Sequence, residues 1–281
     1  MGSEKTGTSI LAEQPQSLSD FAEHCLFNGD IEQKLVLTHQ ARQLLDNGLL
    51  SLQTDRAVLP ICNTVFPSRP KLLMPREMPK RRLDSNEGKA AFFHALAHIE
   101  FVAVYLAWDI ISRFPGLPDD FYRDWLIIAD EEAQHFELIR THLLGLGFDY
   151  GDLPAHRGLW SHAEETSDDI LARLAIVPRC MEARGLDVTP GMMDKLVAID
   201  DQPGLAILRR IYNDEVGHVE RGSYWFNNLA RQRGLEPEHC FKDLILNYFK
   251  GKPKGPFNRE VRIIAGFSNN EIDWLEERLH E

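Results

Sequence analysis

Two copies of one short pattern, Glu132-Ala-Gln-His135 and Glu215-Val-Gly-His218, set a carboxylate and an imidazole three residues apart. On a helix, positions i and i+3 share a face, so each pair can offer both side chains to one metal ion. An isolated glutamate on an apolar segment precedes each pair: Glu100 lies 32 residues before Glu132, and Glu182 lies 33 before Glu215. The matching distances predict a duplicated helix pair. One glutamate from each of two helices, plus Glu-x-x-His from each of the other two, is the donor set of a dinuclear carboxylate centre, here Glu100, Glu132, His135, Glu182, Glu215 and His218.

The neighbouring residues predict that these side chains face inward. Glu132 shares its helical stripe with Trp125, Ile128, Ala129, Phe136 and Ile139, and Glu215 shares its own with Leu208, Ile211, Tyr212 and Val219. Glu100 lies among Phe93, Leu96, Ala97, Val104 and Ala107, and Glu182 near Ala175 and Leu186. Four carboxylates inside a bundle are too costly as free anions, at several kcal/mol each even after relaxation, whereas two divalent cations neutralise them. Two further Glu-x-x-His matches read as incidental, since Glu236/His239 flanks Pro237 and Glu277/His280 lies in a charged terminus.

A metal-bound histidine donates its second ring nitrogen to a carboxylate, and Glu131 and Asp214, each one residue before a motif glutamate, are the candidates. The expected arrangement is crossed, Asp214 to His135 and Glu131 to His218, with solvated surface acids as the alternative. Tyr212, one turn before Glu215, is expected either to edge the metal cavity or to be plain core. His94 and His98 share a face well away from Glu100 and read as packing or outer-shell histidines. Arg184 is read two ways, as an anchor for an anion or as the partner of a nearby acid.

These residues need four long helices to hold them. The first is expected to start near Asp84 to Glu87, as in a capping box, and to stop before Pro115-Gly116. The second runs from Pro118-Asp119 to Gly145. A loop from 148 to 165 leads to a third helix that opens at Ser167 and is bent by Pro178 just before Glu182. Gly185 and Asp187-Val-Thr-Pro190 are expected to interrupt it, with a short recapped helix to Ile199. The fourth runs from Pro203 to Gly234. Ahead of them, 17–50 is helical, with Ser17 or Ser19 as a cap and breaks at Gly29 and Gly48, and prolines at 60, 67, 70, 75 and 79 make 56–82 an extended arm. The expected divisions are a mobile tail (1–16), a helical and extended N-terminal arm (17–83), an all-α four-helix bundle (84–234) and a C-terminal extension packed on it (235–281).

Composition excludes several classes. Over 281 residues, 43% hydrophobic and 26% charged, no apolar run approaches the roughly 20 residues of a membrane span, and the amino terminus has no apolar signal core, so no membrane association and a cytoplasmic location are expected. The four cysteines are dispersed without a Cys-x-x-Cys pair, which argues against a zinc knuckle, a rubredoxin-type iron centre and a disulfide framework. A net charge of −12 disfavours broad capture of nucleic acid. Locally, Arg69, Lys71, Arg76, Lys80, Arg81 and Arg82 share a short stretch with the single acid Glu77 and could contact a tRNA.

The segments His94-Ala-Leu-Ala-His98-Ile-Glu100, Asp130-Glu-Glu-Ala-Gln-His135, Met181-Glu-Ala-Arg-Gly-Leu-Asp187 and Asn213-Asp-Glu-Val-Gly-His218 resemble the ferritin-like superfamily, and more closely the bacterial domain of unknown function 455, over about residues 60–270. The resemblance implies a bundle with two iron ions, manganese being the alternative at one or both positions. A di-iron tRNA hydroxylase is similar in the order of its ligands and in the Glu-Ala-Arg run. The soluble multicomponent monooxygenases carry an arginine where this chain has Gln134 and Gly217. The expected function is oxygen-activating oxidation of a small metabolite or a modified tRNA nucleoside, as a hydroxylase or oxidase. Molecular oxygen and an external electron donor would be its partners, and the sequence leaves both a monomer and an oligomer open. Iron handling as a ferroxidase without an organic substrate is the alternative.

Overall fold

Ser17 opens the first helix, α1 (Leu18–Leu26), through a reciprocal capping box with Asp20. Asp30 caps α2 (Ile31–Asp46), and Gly48, at a φ of 67°, turns the chain out of it. The structure, a computed structural model, describes residues 17–52, 57–74, 77–79, 82–156, 158–249 and 254–278. The tail 1–16, the arm residues Arg76, Lys80 and Arg81, and His280 lie outside the described residues. The described part of the arm is extended, with a 3-10 turn at Ile61–Asn63 and a two-residue strand, β1 (Leu72–Leu73). This strand pairs in parallel with β2 (Ala155–His156), a minor ladder in a predominantly helical chain.

Four helical segments form the centre. They are α3 (Asn86–Arg113), α4 (Asp119–Gly145), a broken third segment and α8 (Gln202–Gln232). The third segment comprises α6 (Ile170–Ile176), a π-helical stretch (Val177–Glu182) and α7 (Ala183–Ala198), and it follows α5 (Gly158–Glu165). α3 packs on α4, α7 on α8, and α4 on α8, while α6 and the π stretch also lie on α8. α1 covers α3 and α2 covers α4. The last elements are α9 (Pro237–Tyr248), α10 (Arg259–Ile264) and α11 (Asn269–Glu277). α9 packs on α6 and α8, α10 on α7 and α8, and α11 on α9.

Several expected boundaries shift for local reasons. Ser85, not Asp84, caps α3, because its hydroxyl accepts the Gly88 amide at 3.0 Å. Asp169, not Ser167, caps the third segment, accepting from Leu171 N at 3.1 Å. The span 148–165 contains β2 and α5 and is not a loop throughout.

The expected break after Gly185 is absent, and α7 runs unbroken through Pro190. A proline removes the amide that would serve the carbonyl four residues back. That carbonyl belongs to Leu186, and Asn258 Nδ2 donates to it at 3.4 Å, so the missing bond is replaced from the C-terminal extension. One more expectation changes: α3 is long and apolar enough, by length and composition, to cross a membrane. In this fold 72% of its most apolar window is buried against neighbouring helices.

Candidate metal centre

Each central segment contributes to one buried cluster. Glu100 comes from the middle of α3, Glu132 and His135 from α4, Glu182 from the end of the π stretch, and Glu215 and His218 from α8. One ligand atom each from Glu100, Glu132, His135 and Glu215 falls within 4.8 Å of the others, a buried Glu/His group that could hold a metal ion. His218 joins it through Nδ1, 3.1 Å from Glu132 Oε1 and 3.8 Å from Glu215 Oε1. His135 Nδ1 lies 3.2 Å from Glu100 Oε2 and 3.5 Å from Glu132 Oε2. Glu132 therefore touches both imidazoles and sits between the two halves. Glu182 lies outside that converging group: it is half-buried, within electrostatic reach of Glu132, Glu100 and His218.

The opposite ring nitrogens fix how the imidazoles are presented. His135 Nε2 is 3.0 Å from Asp214 Oδ2, and His218 Nε2 is 2.8 Å from Glu131 Oε2, the crossed pairing expected from the sequence. Each outer carboxylate favours a proton on Nε2, so that Nδ1, which faces the glutamates, is the nitrogen that would give up its proton and turn its lone pair to a metal ion. The outer carboxylates are held in turn: Arg210 Nε donates to Asp214 at 2.6 Å, and Arg221 Nη1 stands 3.5 Å from Glu131. These two arginines were not anticipated. Arg210 lies one turn before Asp214 and Arg221 one turn after His218, so helical spacing was the available signal.

Buried charge gives the cluster its electrostatic character. Burial, and then the charge of Glu132, push the Glu100 carboxyl up to about 7 and that of Glu182 up to about 8. The same two causes raise Glu215 well above the usual carboxylate range. Burial would also raise Glu132, but His135 and His218 overcome it and hold its carboxyl below the usual range. Burial works against charge on both imidazoles, yet the surrounding carboxylates raise each well above its ordinary value. Two buried oxygens, Glu132 Oε2 and Glu182 Oε2, make no hydrogen bond. Four carboxylates, two inward imidazole nitrogens and two unsatisfied oxygens fit a divalent ion of the class that accepts both nitrogen and oxygen.

The π stretch positions Glu182. Pro178 lies in its first turn, where the absent amide prevents an ordinary helical bond and the backbone winds wider. α8 approaches this turn at Gly222, where a Cβ would lie 2.5 Å from Pro178 Cβ. The bend at Pro178 was anticipated, but its π form was not.

The remaining candidates have other partners. Tyr212 accepts a hydrogen bond from Asn258 Nδ2 at 3.1 Å. Arg184 pairs with Asp187 at 3.5 Å and donates to the carbonyls of Gly255 and Pro256. His98 lies 2.9 Å from the Tyr150 hydroxyl and 3.1 Å from the His156 carbonyl, and His94 accepts from the Gly151 amide, so both serve packing. Asp130, overlooked in the sequence, is buried on α4 and joined at 2.6 Å to His39 of α2.

Comparison with known proteins adds a family. The family described as "Protein of unknown function (DUF455)" matches residues 27–273. A Haemophilus influenzae protein described as "Uncharacterized protein" is 42% identical over 237 residues, covering 82% of each chain. No solved structure matches.

Proposed function

This chain belongs to the DUF455 family, and from that premise and the geometry of the centre we propose a ferritin-like four-helix bundle holding two iron ions for oxygen-dependent oxidation of an organic substrate. One observation carries the reading: two Glu-x-x-His pairs on α4 and α8 converge on Glu132, which contacts both imidazoles. Glu100, Glu132, His135, Glu215 and His218 would hold the ions. Glu182 closes the donor set from the π turn. Manganese is the alternative occupant at either position.

When bound, iron would supply electrons for reducing molecular oxygen, and an external donor would replace them. The side chains do the rest. Asp214 and Glu131 hold the imidazole tautomers, Arg210 and Arg221 hold those carboxylates, and the apolar faces of α3 and α4 keep bulk water from the centre. With the four cysteines dispersed, a separate protein would act as donor.

The ligand order and the run Glu182-Ala-Arg184 are similar to those of a di-iron tRNA hydroxylase, which favours a modified tRNA nucleoside or a small metabolite as substrate. The test is anaerobic loading with ferrous iron, followed by an oxygen pulse in the presence of total tRNA and, separately, a metabolite extract. Uptake of about two ions per chain, an optical change on oxygen addition and a hydroxylated or otherwise oxidised product support the proposal. Iron mineral with neither pool altered would move the chain to iron handling, and no iron uptake would overturn both readings.

A further inference from the structure

Behind the π turn, between it and the C-terminal helices, lies a cavity of about 210 Å³ whose lining includes Arg179, Arg184, Lys254 and Arg262. We infer that this cavity binds a small organic anion with one ring-sized apolar part. Two of its cations are buried and already paired: Arg179 holds Glu271 through Nη2 at 2.9 and 2.8 Å, and Arg262 holds Asp187 at 2.9 and 2.8 Å. Each guanidinium nevertheless keeps one buried nitrogen, Nη1, that makes no hydrogen bond.

Joining the C-terminal extension to the bundle accounts for the paired nitrogens. It does not account for the idle ones. Aromatic rings stack on both guanidiniums, with centroids 4.3 to 4.9 Å from Cζ, but give neither Nη1 an acceptor, and leaving a buried charged donor without one costs more than an ordinary hydrogen bond returns. Nor does the joining account for the charge balance. Arg184 shares Asp187 with Arg262, at 3.5 Å, and otherwise meets only carbonyl oxygens, while Lys254 adds a further cation. Among the described residues, four cations therefore face two carboxylates, and a ligand bearing a carboxylate or phosphate supplies the missing negative charge.

The rest of the lining sets the body of the ligand. Phe241, Phe249 and Phe257 face the cavity together with Met181 and Leu275. A dry cavity of about 150 Å³ takes a benzene ring, so this one has room for a ring and a charged head group. The lining includes none of the six clustered Glu and His side chains, and its binding chemistry is independent of which ion the centre holds. Its failure and that of the oxidase reading are thus separate results.

The experiment is isothermal titration of the full chain with benzoate, phenyl phosphate and the neutral benzyl alcohol. At least one anion is expected to bind saturably and at least about tenfold more tightly than the alcohol, and the better of the two identifies the head group. The exposed Lys254→Met and the double variant Arg184→Met/Lys254→Met should each weaken that binding, the double variant by about tenfold or more, with circular dichroism unchanged. Absence of saturation by both anions, equal binding of benzyl alcohol, or unchanged affinity in Lys254→Met would overturn the inference. The single variant keeps the test decisive if the double variant does not fold.

Discussion

Asp214 and Glu131 never touch the inward ring nitrogens, yet they determine what those nitrogens present. Replacing either by its amide, Asp214→Asn or Glu131→Gln, keeps the shape but removes the charge that favours an Nε2–H donor. The expected outcome is metal affinity about 10- to 100-fold weaker with unchanged helicity, measured by competition with a chromogenic chelator. The glutamates of the cluster behave in the opposite way when stability is measured without metal. Glu215→Leu removes a half-buried carboxyl whose ionisation burial and the charge of Glu132 oppose, and it should stabilise the ion-free chain in urea titration with chelator present, while abolishing full loading. At this scale the sequence was informative where contacts follow helical periodicity. An acid one residue before a motif glutamate is turned toward the neighbouring helix, and the crossed pairs followed from that. The position of Tyr212 did not, since its partner Asn258 comes from a segment 46 residues later, beyond any local pattern.

The π turn and its support by α8 are properties of elements. Pro178→Ala restores an amide and lets Val177–Glu182 rewind toward ordinary helix, which would swing Glu182 away from Glu132. Metal titration is then expected to show uptake weakened about tenfold or more. Gly222→Ala drives a methyl into Pro178 from the other side, and its expected cost is about 1–3 kcal/mol of stability in urea. On the outer layer, Lys34 of α2 is buried with its ammonium 3.8 Å from the centre of the Tyr105 ring, and burial lowers it to about 8. An unfolded chain binds that proton up to about 10.5, so between the two values the unfolded state carries more protons and stability rises with pH, by at most about 3 kcal/mol. Lys34→Met should flatten the stability profile from pH 8 to 10. Element ends marked by Pro118-Asp119, Gly145 and Ser17 were legible because their chemistry is local. Pro190 misled because the bond it removes is replaced through Asn258, and α5 was hidden because its Gly, His and Trp content reads as loop.

For the molecule as a whole, the C-terminal extension is tied in by buried ion pairs as well as by apolar contact. Glu271→Gln leaves Arg179 charged and unpaired beneath Phe226, Phe241 and Phe267, and about 3–5 kcal/mol should be lost, read as a lower urea midpoint. The duplication legible in the sequence takes its most consequential form in the crossed carboxylates. His135 borrows its outer partner from α8, and His218 borrows its own from α4. Neither α3–α4 nor the α6–α8 half can orient its own imidazole unaided. The centre thereby proofreads its own assembly: separately produced halves should each load metal poorly, and mixing them should restore uptake only as the two dock in register.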